Sequence, residues 1–194
     1  MSWALWITGL PGSGKTTLAR TVARALELRG LCVTVLELDE IRKTLTPRPT
    51  YADAERDVVY RALAYMAKLL SEAGVPVIID ATAHRRAWRE VGRELIPAFA
   101  EVQLLCPLDV CRAREKTRQA EHAPPRIYAQ GGQTGATVPG VDVAYEVSPA
   151  PELSLDTHSA DLATTVQEVL YLVRRLDRRA AGLESRARRL HVWD

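Results

Sequence analysis

Cysteine is scarce in this sequence, with three among 194 residues, and the three follow none of the spacings of a zinc site. Their odd number argues against a disulfide framework, so we expect the cytoplasm as compartment. Cys32 and Cys106 fall in apolar stretches, and we expect both thiols to be buried in strands. No hydrophobic run approaches the roughly 18 residues of a membrane span. No basic segment precedes Trp3, so we expect no signal peptide.

The sequence also lacks a strong excess of charge. Its formal net charge is +2, which gives no argument for nucleic acid or an anionic membrane as a partner. Arginine pairs concentrate in a basic tail, residues 177–194, which is predicted to be helical. Two interpretations of the tail stay open: a surface for an acidic partner or nucleic acid, and a solvated continuation of the last helix, which we favour.

Apolar stretches alternate with helical periodicities along the rest of the chain. Five of these stretches predict strands at residues 3–8, 31–36, 75–80, 101–106 and 152–156. Amphipathic segments predict the main helices at residues 17–28, 52–73, 85–95, 109–118 and 159–176. This alternation predicts one α/β domain over residues 1–176, with a five-stranded parallel sheet in three α/β/α layers. Residues 119–151 lack periodicity, which predicts a functional loop, a lid over the site.

A glycine-rich segment follows the first strand. Residues 9–16 fit the pattern G-x-x-x-x-G-K-[ST], in which backbone N–H groups surround a phosphate and the lysine follows the β- and γ-phosphates. The threonine hydroxyl is a magnesium ligand in this pattern, and the next helix points its positive dipole end at the phosphates. We predict a P-loop NTPase fold that uses ATP and Mg²⁺. The residues predicted to bind the nucleotide here are Gly9, Pro11, Gly12, Ser13, Gly14, Lys15, Thr16 and Thr17.

Two aspartates follow predicted strands at the sheet edge where ligands collect in such folds. Phosphoryl transfer requires charge neutralisation, a metal ion and a carboxylate near the attacking hydroxyl. We therefore predict Lys15 and Asp39 as catalytic residues and Thr16, Asp39 and Asp80 as metal ligands. A helix N-cap is the alternative role for Asp39. For Asp80, which ends a strand as a Walker B acid does, a purely structural role stays open.

Several arginines flank the predicted acceptor side and lid. Guanidinium groups suit phosphate and sulfate oxygens, so Arg42 and Arg56 indicate an anionic acceptor, with surface positions on helices as the alternative. Small kinases keep basic residues in a lid that excludes water. The candidates before the long loop are Arg112, Arg114, Lys116 and Arg118, of which we favour Arg114.

These segments together resemble the adenylylsulfate kinase family, which phosphorylates the 3′-hydroxyl of adenosine 5′-phosphosulfate. The matching parts are residues 9–17, 35–42, 106–111, 139–142 and 151–157, with Arg56, Arg114, Tyr145 and Glu146. The resemblance implies ATP and Mg²⁺ as cofactors, a role in sulfate assimilation, and a homodimer as an assembly to test. By the same resemblance, Asp39 lies near the acceptor, Arg42 and Arg56 hold it, and Arg114 packs on the ATP adenine. We add Tyr51 to the predicted acceptor-binding residues, as the candidate for a ring beside the acceptor adenine.

The departures from the family pattern lie mostly on the acceptor side. Residues 37–40 read Glu-Leu-Asp-Glu where the family has Asp-Gly-Asp-Asn, and Val138 replaces a phenylalanine that sandwiches the acceptor adenine. Residues 83–86 read Ala-His-Arg-Arg where the family has Ser-Pro-Tyr-Arg, and the basic lid motif is replaced at 129–133. Two alternatives therefore stay open. One is a related kinase for another nucleotide, a small alcohol or a polynucleotide 5′-hydroxyl end; the other is a non-catalytic nucleotide-binding protein.

Overall fold

Five parallel strands form the centre of the computed structural model, which describes residues 1–117 and 126–190. In chain order they are β1 (Ala4–Thr8), β2 (Thr34–Glu37), β3 (Val77–Asp80), β4 (Phe99–Leu105) and β5 (Leu153–Asp156). Their order across the sheet is β2-β3-β1-β4-β5, and every neighbouring pair is parallel. The prediction of a five-stranded parallel sheet is confirmed.

Helices cover both faces of the sheet. They are α1 (Lys15–Glu27), α2 (Leu38–Leu45), α3 (Asp53–Glu72), α4 (Arg86–Leu95), α5 (Leu108–Thr117) and α6 (Leu162–Leu190), with a short 3₁₀ helix at Ile127–Gln130. One apolar cluster lies between the sheet and the pair α1 and α6, and a second lies between the sheet and α3 and α4. The three predicted α/β/α layers are confirmed. Within the described ranges, no helix is long and apolar enough to cross a membrane.

The start of β2 differs from the prediction. The chain turns at Gly30, which has φ +81°, after the end of α1, and pairing with β3 begins only at Thr34. Cys32 therefore lies in an exposed connection at the edge of the sheet, so the prediction of a buried strand position is wrong for it. Cys106 follows the last residue of β4 and is half-buried, so it too lies outside a strand.

Helix α6 is longer than its amphipathic pattern predicts. The predicted boundary at residue 176 lies inside the helix, which continues to Leu190. Beyond that boundary, the Trp3 indole donates a hydrogen bond to Asp177, and Ala180 is buried in the same apolar cluster as α1. The packed part of the helix thus extends past residue 176.

Strand register brings chemical groups to one edge of the sheet. Asp80 lies in register with Ile7 of β1 and with Glu37 of β2. The loop of residues 9–14 and the first turn of α2 leave from this same edge. Residues far apart in sequence therefore meet above the carboxyl ends of β1, β2 and β3, as expected of an open α/β sheet.

Candidate active site

The glycine-rich loop connects β1 to α1, and its neighbours hold it from two sides. Gly14 occupies the N-cap position of α1 in the left-handed region, at φ +98°. The Tyr128 hydroxyl donates to the carbonyl of Pro11 at 2.7 Å, and the Thr157 hydroxyl donates to that of Ser13 at 2.9 Å. Lys15 is buried at the start of α1, with Nζ 3.0 Å from the carbonyl oxygen of Leu10. A cation and a helix N-terminus thus face the same concave loop, the arrangement that binds phosphates.

Gly12 has no room for a side chain, because a Cβ there would lie 2.4 Å from the carbonyl oxygen of Cys111 in α5. We expect Gly12→Ala to lower the free energy of unfolding in urea. Gly30→Ala is the matched control, since Gly30 has the same φ of +81° and open space around it. The control should cost about 1–2 kcal/mol for backbone strain, and Gly12→Ala at least ~1 kcal/mol more for overpacking. Equal losses would contradict the close contact with α5.

One cavity of about 410 Å³ joins the loop to the predicted acceptor side. Its walls come from the loop, α1, α2, α3, the end of β3 and residues 135–139. The predicted site residues that line it are Pro11, Lys15, Thr16, Asp39, Arg42, Tyr51, Arg56 and Asp80. The other predicted residues, Gly9, Gly12, Ser13, Gly14, Thr17 and Arg114, lie outside its lining.

The carboxylates of the cavity differ in their surroundings. Asp80 is buried, the Thr16 hydroxyl hydrogen-bonds to it, and Lys15 lies near it; burial raises its pKa against the opposing effect of both partners. Asp39 is exposed to the cavity in the first turn of α2. The capping alternative for Asp39 is wrong, because α2 begins at Leu38 with Glu37 in the capping position.

Glu37, in register with Asp80, is paired with α1. Its carboxylate accepts two hydrogen bonds from Arg20 of α1, at 2.6 and 2.9 Å. Among the described residues there is no cluster of three or more histidine, cysteine or carboxylate side chains that could hold a metal ion. The predicted metal ligands that line the cavity are Thr16, Asp39 and Asp80. A small number of protein oxygens is enough for Mg²⁺, because this ion keeps several waters and takes its other ligands from phosphates.

Arg42 and Arg56 are not surface residues, since each residue is 7% exposed and lines the cavity. Their guanidinium carbons lie 5.2 and 5.9 Å from the centre of the Tyr51 ring. Arg42 donates to Glu55 at 3.0 Å, an ion pair that is largely buried. Two cations and one aromatic face thus form a single wall, a surface suited to an anionic aromatic ligand.

Glu55 contacts both Arg42 and the backbone of Tyr51, and its role in this wall was not predicted from the sequence. Besides Arg42, its carboxylate accepts from the backbone N–H groups of Thr50 and Tyr51, at 2.7 and 3.2 Å. Tyr51 sits at φ +56°, a left-handed conformation that is unfavourable for a tyrosine and needs such support. The usual helix-start pattern does not mark Glu55, because the capping position three residues before it is Ala52 and not Ser, Thr, Asp or Asn.

His84 and Thr137 were also missed, and no sequence signal indicates them. Arg56 Nη1 lies 3.1 Å from His84 Nδ1, and Nη2 donates to the Thr137 carbonyl and hydroxyl at 2.9 and 2.8 Å. These partners are 28 and 81 residues from Arg56 in the chain. The fold alone brings them together.

Arg114 lies beside the loop rather than in the cavity. It donates to the Thr157 carbonyl at 2.8 Å, and Nη1 is 3.6 Å from Cys106 Sγ. Arg112 lies over the ring of Tyr128 at 5.8 Å. Arg118, another lid candidate, lies outside the described residues. Arg114 therefore lies outside the cavity that Arg42 and Arg56 line.

The pH dependence of stability should show the burial of His84. Burial first, and then Arg56 and Arg85, lower the pKa of His84 from 6.5 to about 4, against Asp53 and Glu146. The folded state thus disfavours its charged form, so His84 lowers stability as the pH falls from 6.5 towards 4. Relative to His84→Asn, the wild type should lose about 2–3 kcal/mol between pH 7.5 and 4.5 in urea titrations. Parallel curves would contradict the pKa shift.

Comparison with known proteins identifies the family. A model of the adenylylsulphate kinase family matches residues 1–156. A probable adenylyl-sulfate kinase of Archaeoglobus fulgidus is 37% identical over 164 residues, covering 83% of this chain and 99% of that protein. An adenylyl-sulfate kinase of Shewanella denitrificans is 36% identical over 170 residues, covering 86% of this chain and 78% of that protein.

A solved structure gives the same result. The Mycobacterium tuberculosis APS kinase CysC in complex with AMPPNP and APS has a TM-score of 0.78 and 29% identity, covering 89% of this chain and 98% of that chain. The family resemblance noted from the motifs is confirmed. This chain belongs to the adenylylsulphate kinase family.

Proposed function

We propose that the chain is an ATP-dependent kinase that transfers the γ-phosphoryl group to the 3′-hydroxyl of adenosine 5′-phosphosulfate, giving 3′-phosphoadenosine 5′-phosphosulfate. One observation carries the proposal: a single cavity joins Lys15 and Thr16 to Asp39, Arg42 and Arg56. A relative at 29% identity and TM-score 0.78 was solved with AMPPNP and APS together. Both substrates of the proposed reaction are therefore accommodated by this fold.

The loop and α1 supply the donor side. Backbone N–H groups of residues 9–14 and the N-terminus of α1 bind the phosphates, and Lys15 compensates charge on the β- and γ-phosphates. Thr16, Asp39 and Asp80 would hold Mg²⁺, which neutralises phosphate charge when bound. Arg114, next to Thr157, packs against the adenine of ATP.

Asp39 and the wall of Arg42, Tyr51 and Arg56 supply the acceptor side. The Asp39 carboxylate accepts a hydrogen bond from the acceptor 3′-hydroxyl and orients its oxygen towards the γ-phosphorus. It takes up the proton as the new P–O bond forms and the bond from the γ-phosphorus to the bridging oxygen breaks, with ADP as the leaving group. The two guanidinium groups bind the phosphosulfate oxygens, and the Tyr51 ring packs on the acceptor adenine. Buried positions strengthen these contacts, because water does not screen them.

An acceptor panel tests the proposal. We expect ADP release with ATP, Mg²⁺ and adenosine 5′-phosphosulfate, and a phosphorylated product heavier by one phosphoryl group in mass spectra. AMP, adenosine, gluconate and a 5′-hydroxyl oligonucleotide serve as comparison acceptors. If one of these compounds were phosphorylated and adenylylsulfate were not, that compound would be the acceptor instead. If the folded protein phosphorylated no compound of the panel, the kinase assignment would be wrong.

We also propose the cytoplasm as the compartment. The three cysteines are free thiols, and free thiols persist in reducing compartments. The assay above therefore needs no oxidative refolding, and protein kept under reducing conditions is the relevant form.

A further inference from the structure

The two arginines of the acceptor wall differ in how their charge is compensated. Arg42 forms an ion pair with Glu55 at 3.0 Å. Arg56, equally buried, forms no ion pair with any described residue; its guanidinium donates to His84 Nδ1 and to the carbonyl and hydroxyl of Thr137. All three acceptors are neutral. Arg56 is therefore oriented by its neighbours without being neutralised by them.

His84 is built into the fold as such an acceptor. It lies in the connection from β3 to α4 with 2% exposure, and its ring meets Trp88 edge-on at 4.9 Å. Its carbonyl accepts from the Glu146 N–H at 2.8 Å, which fixes the backbone. A guanidinium group only donates hydrogen bonds, so Nδ1 must be the acceptor. The imidazole is then neutral, with its proton on Nε2.

We propose that His84 is a positioning residue for the acceptor: it aims Arg56 into the cavity by a hydrogen bond that leaves the full positive charge of Arg56 for the substrate anion. A carboxylate in its place would orient Arg56 equally well but would compensate its charge, as Glu55 does for Arg42. This inference rests on the proposed function, in which Arg56 binds the anionic part of the acceptor. It assigns a role to a residue that departs from the family's Ser-Pro-Tyr-Arg segment.

Three substitutions separate orientation from charge. His84→Leu removes the acceptor atom, and the KM for adenylylsulfate should rise about tenfold while the KM for ATP changes less than about twofold. His84→Glu keeps a hydrogen-bond acceptor but adds a negative charge, so the KM for adenylylsulfate should rise further, although Tm stays the same or rises. His84→Asn, whose amide oxygen can occupy the place of Nδ1, should restore most of the affinity for adenylylsulfate.

A merely structural role for His84 predicts a different pattern. Both KM values would then change together and follow Tm, and His84→Glu would show no larger effect on adenylylsulfate than His84→Leu. That outcome would overturn the inference. Equilibrium binding of adenylylsulfate by calorimetry, without ATP, should give the same ranking of variants as its KM.

The tautomer of His84 gives a test that needs no substrate. In ¹⁵N–¹H spectra of the full chain, the His84 ring should carry its proton on Nε2 with Nδ1 unprotonated, and Arg56→Met should remove that preference. A proton on Nδ1 in the wild type would overturn the inference whatever the activity. Inertness towards adenylylsulfate, with the expected tautomer present, would instead contradict the proposed function.

Discussion

We expect Asp39→Asn to lower kcat by roughly 10²–10⁴-fold, the range for a positioned carboxylate in proton transfer, while ATP still binds. Asparagine has the same shape as aspartate but cannot take up the proton of the acceptor hydroxyl. Asp39 is exposed to the cavity in the first turn of α2, so the substitution disturbs no buried contact. The loss should therefore appear in steady-state turnover and not in Tm.

Glu40→Gln is the matched control for this variant. Glu40→Gln removes the same negative charge one residue further along the same helical turn, and Glu40 does not line the cavity. Its kcat should stay within about twofold of the wild type, as for surface substitutions generally. If Asp39→Asn and Glu40→Gln had equal kcat, Asp39 would have no part in the chemistry.

The donor side was predictable from sequence because its determinants are local. The glycine-rich loop, Lys15 and Thr16 fall within eight consecutive residues, and the flanking strand and helix each follow from a simple period. Asp39 and Asp80 follow from a rule nearly as simple, since the carboxyl ends of parallel strands share one edge. The register of Asp80 with Ile7 and with Glu37, two residues before Asp39, shows how closely that edge is shared.

The surroundings of Arg56 were not predictable in this way. Its partners come from the connection after β3 and from the segment before Pro139, so only the three-dimensional path of the chain brings them together. The wrong prediction of burial for Cys32 has a related cause. An apolar stretch predicts burial, but pairing at an edge strand begins only where the neighbouring strand starts, at Thr34 opposite Val77.

The identity of the phosphoryl acceptor was also not predictable from local sequence. Val138 lines the cavity at a position where the family has an aromatic ring, and Thr137 beside it binds Arg56. One residue that holds Arg56 thus lies next to a position at which the sequence departs from the family pattern. In the proposed function the arginines bind the anionic part of the acceptor, whereas the fit of its organic part depends on these less predictable neighbours.

We expect Lys15→Met to reduce kcat/KM for ATP by roughly 10²–10³-fold, the size of effect seen when one charge-stabilising donor is removed from an active site. Lys15 is buried at the first position of α1, beside Asp80 and above the concave loop. Methionine keeps much of the apolar stem but not the charge that follows the transferred phosphoryl group. Both turnover and the affinity for ATP should fall.

The partners of Lys15 determine how this experiment is controlled. Its Nζ donates to the Leu10 carbonyl at 3.0 Å, so a loss of activity could arise from a distorted loop. Lys15→Arg keeps a donor and the charge but is larger and bonds differently, so it should recover part of the ATP affinity and little of kcat. Lys68→Met, at a surface ion pair of α3, should leave both unchanged. If Lys15→Met bound ATP and turned over like the wild type, the loop would not be the phosphate site.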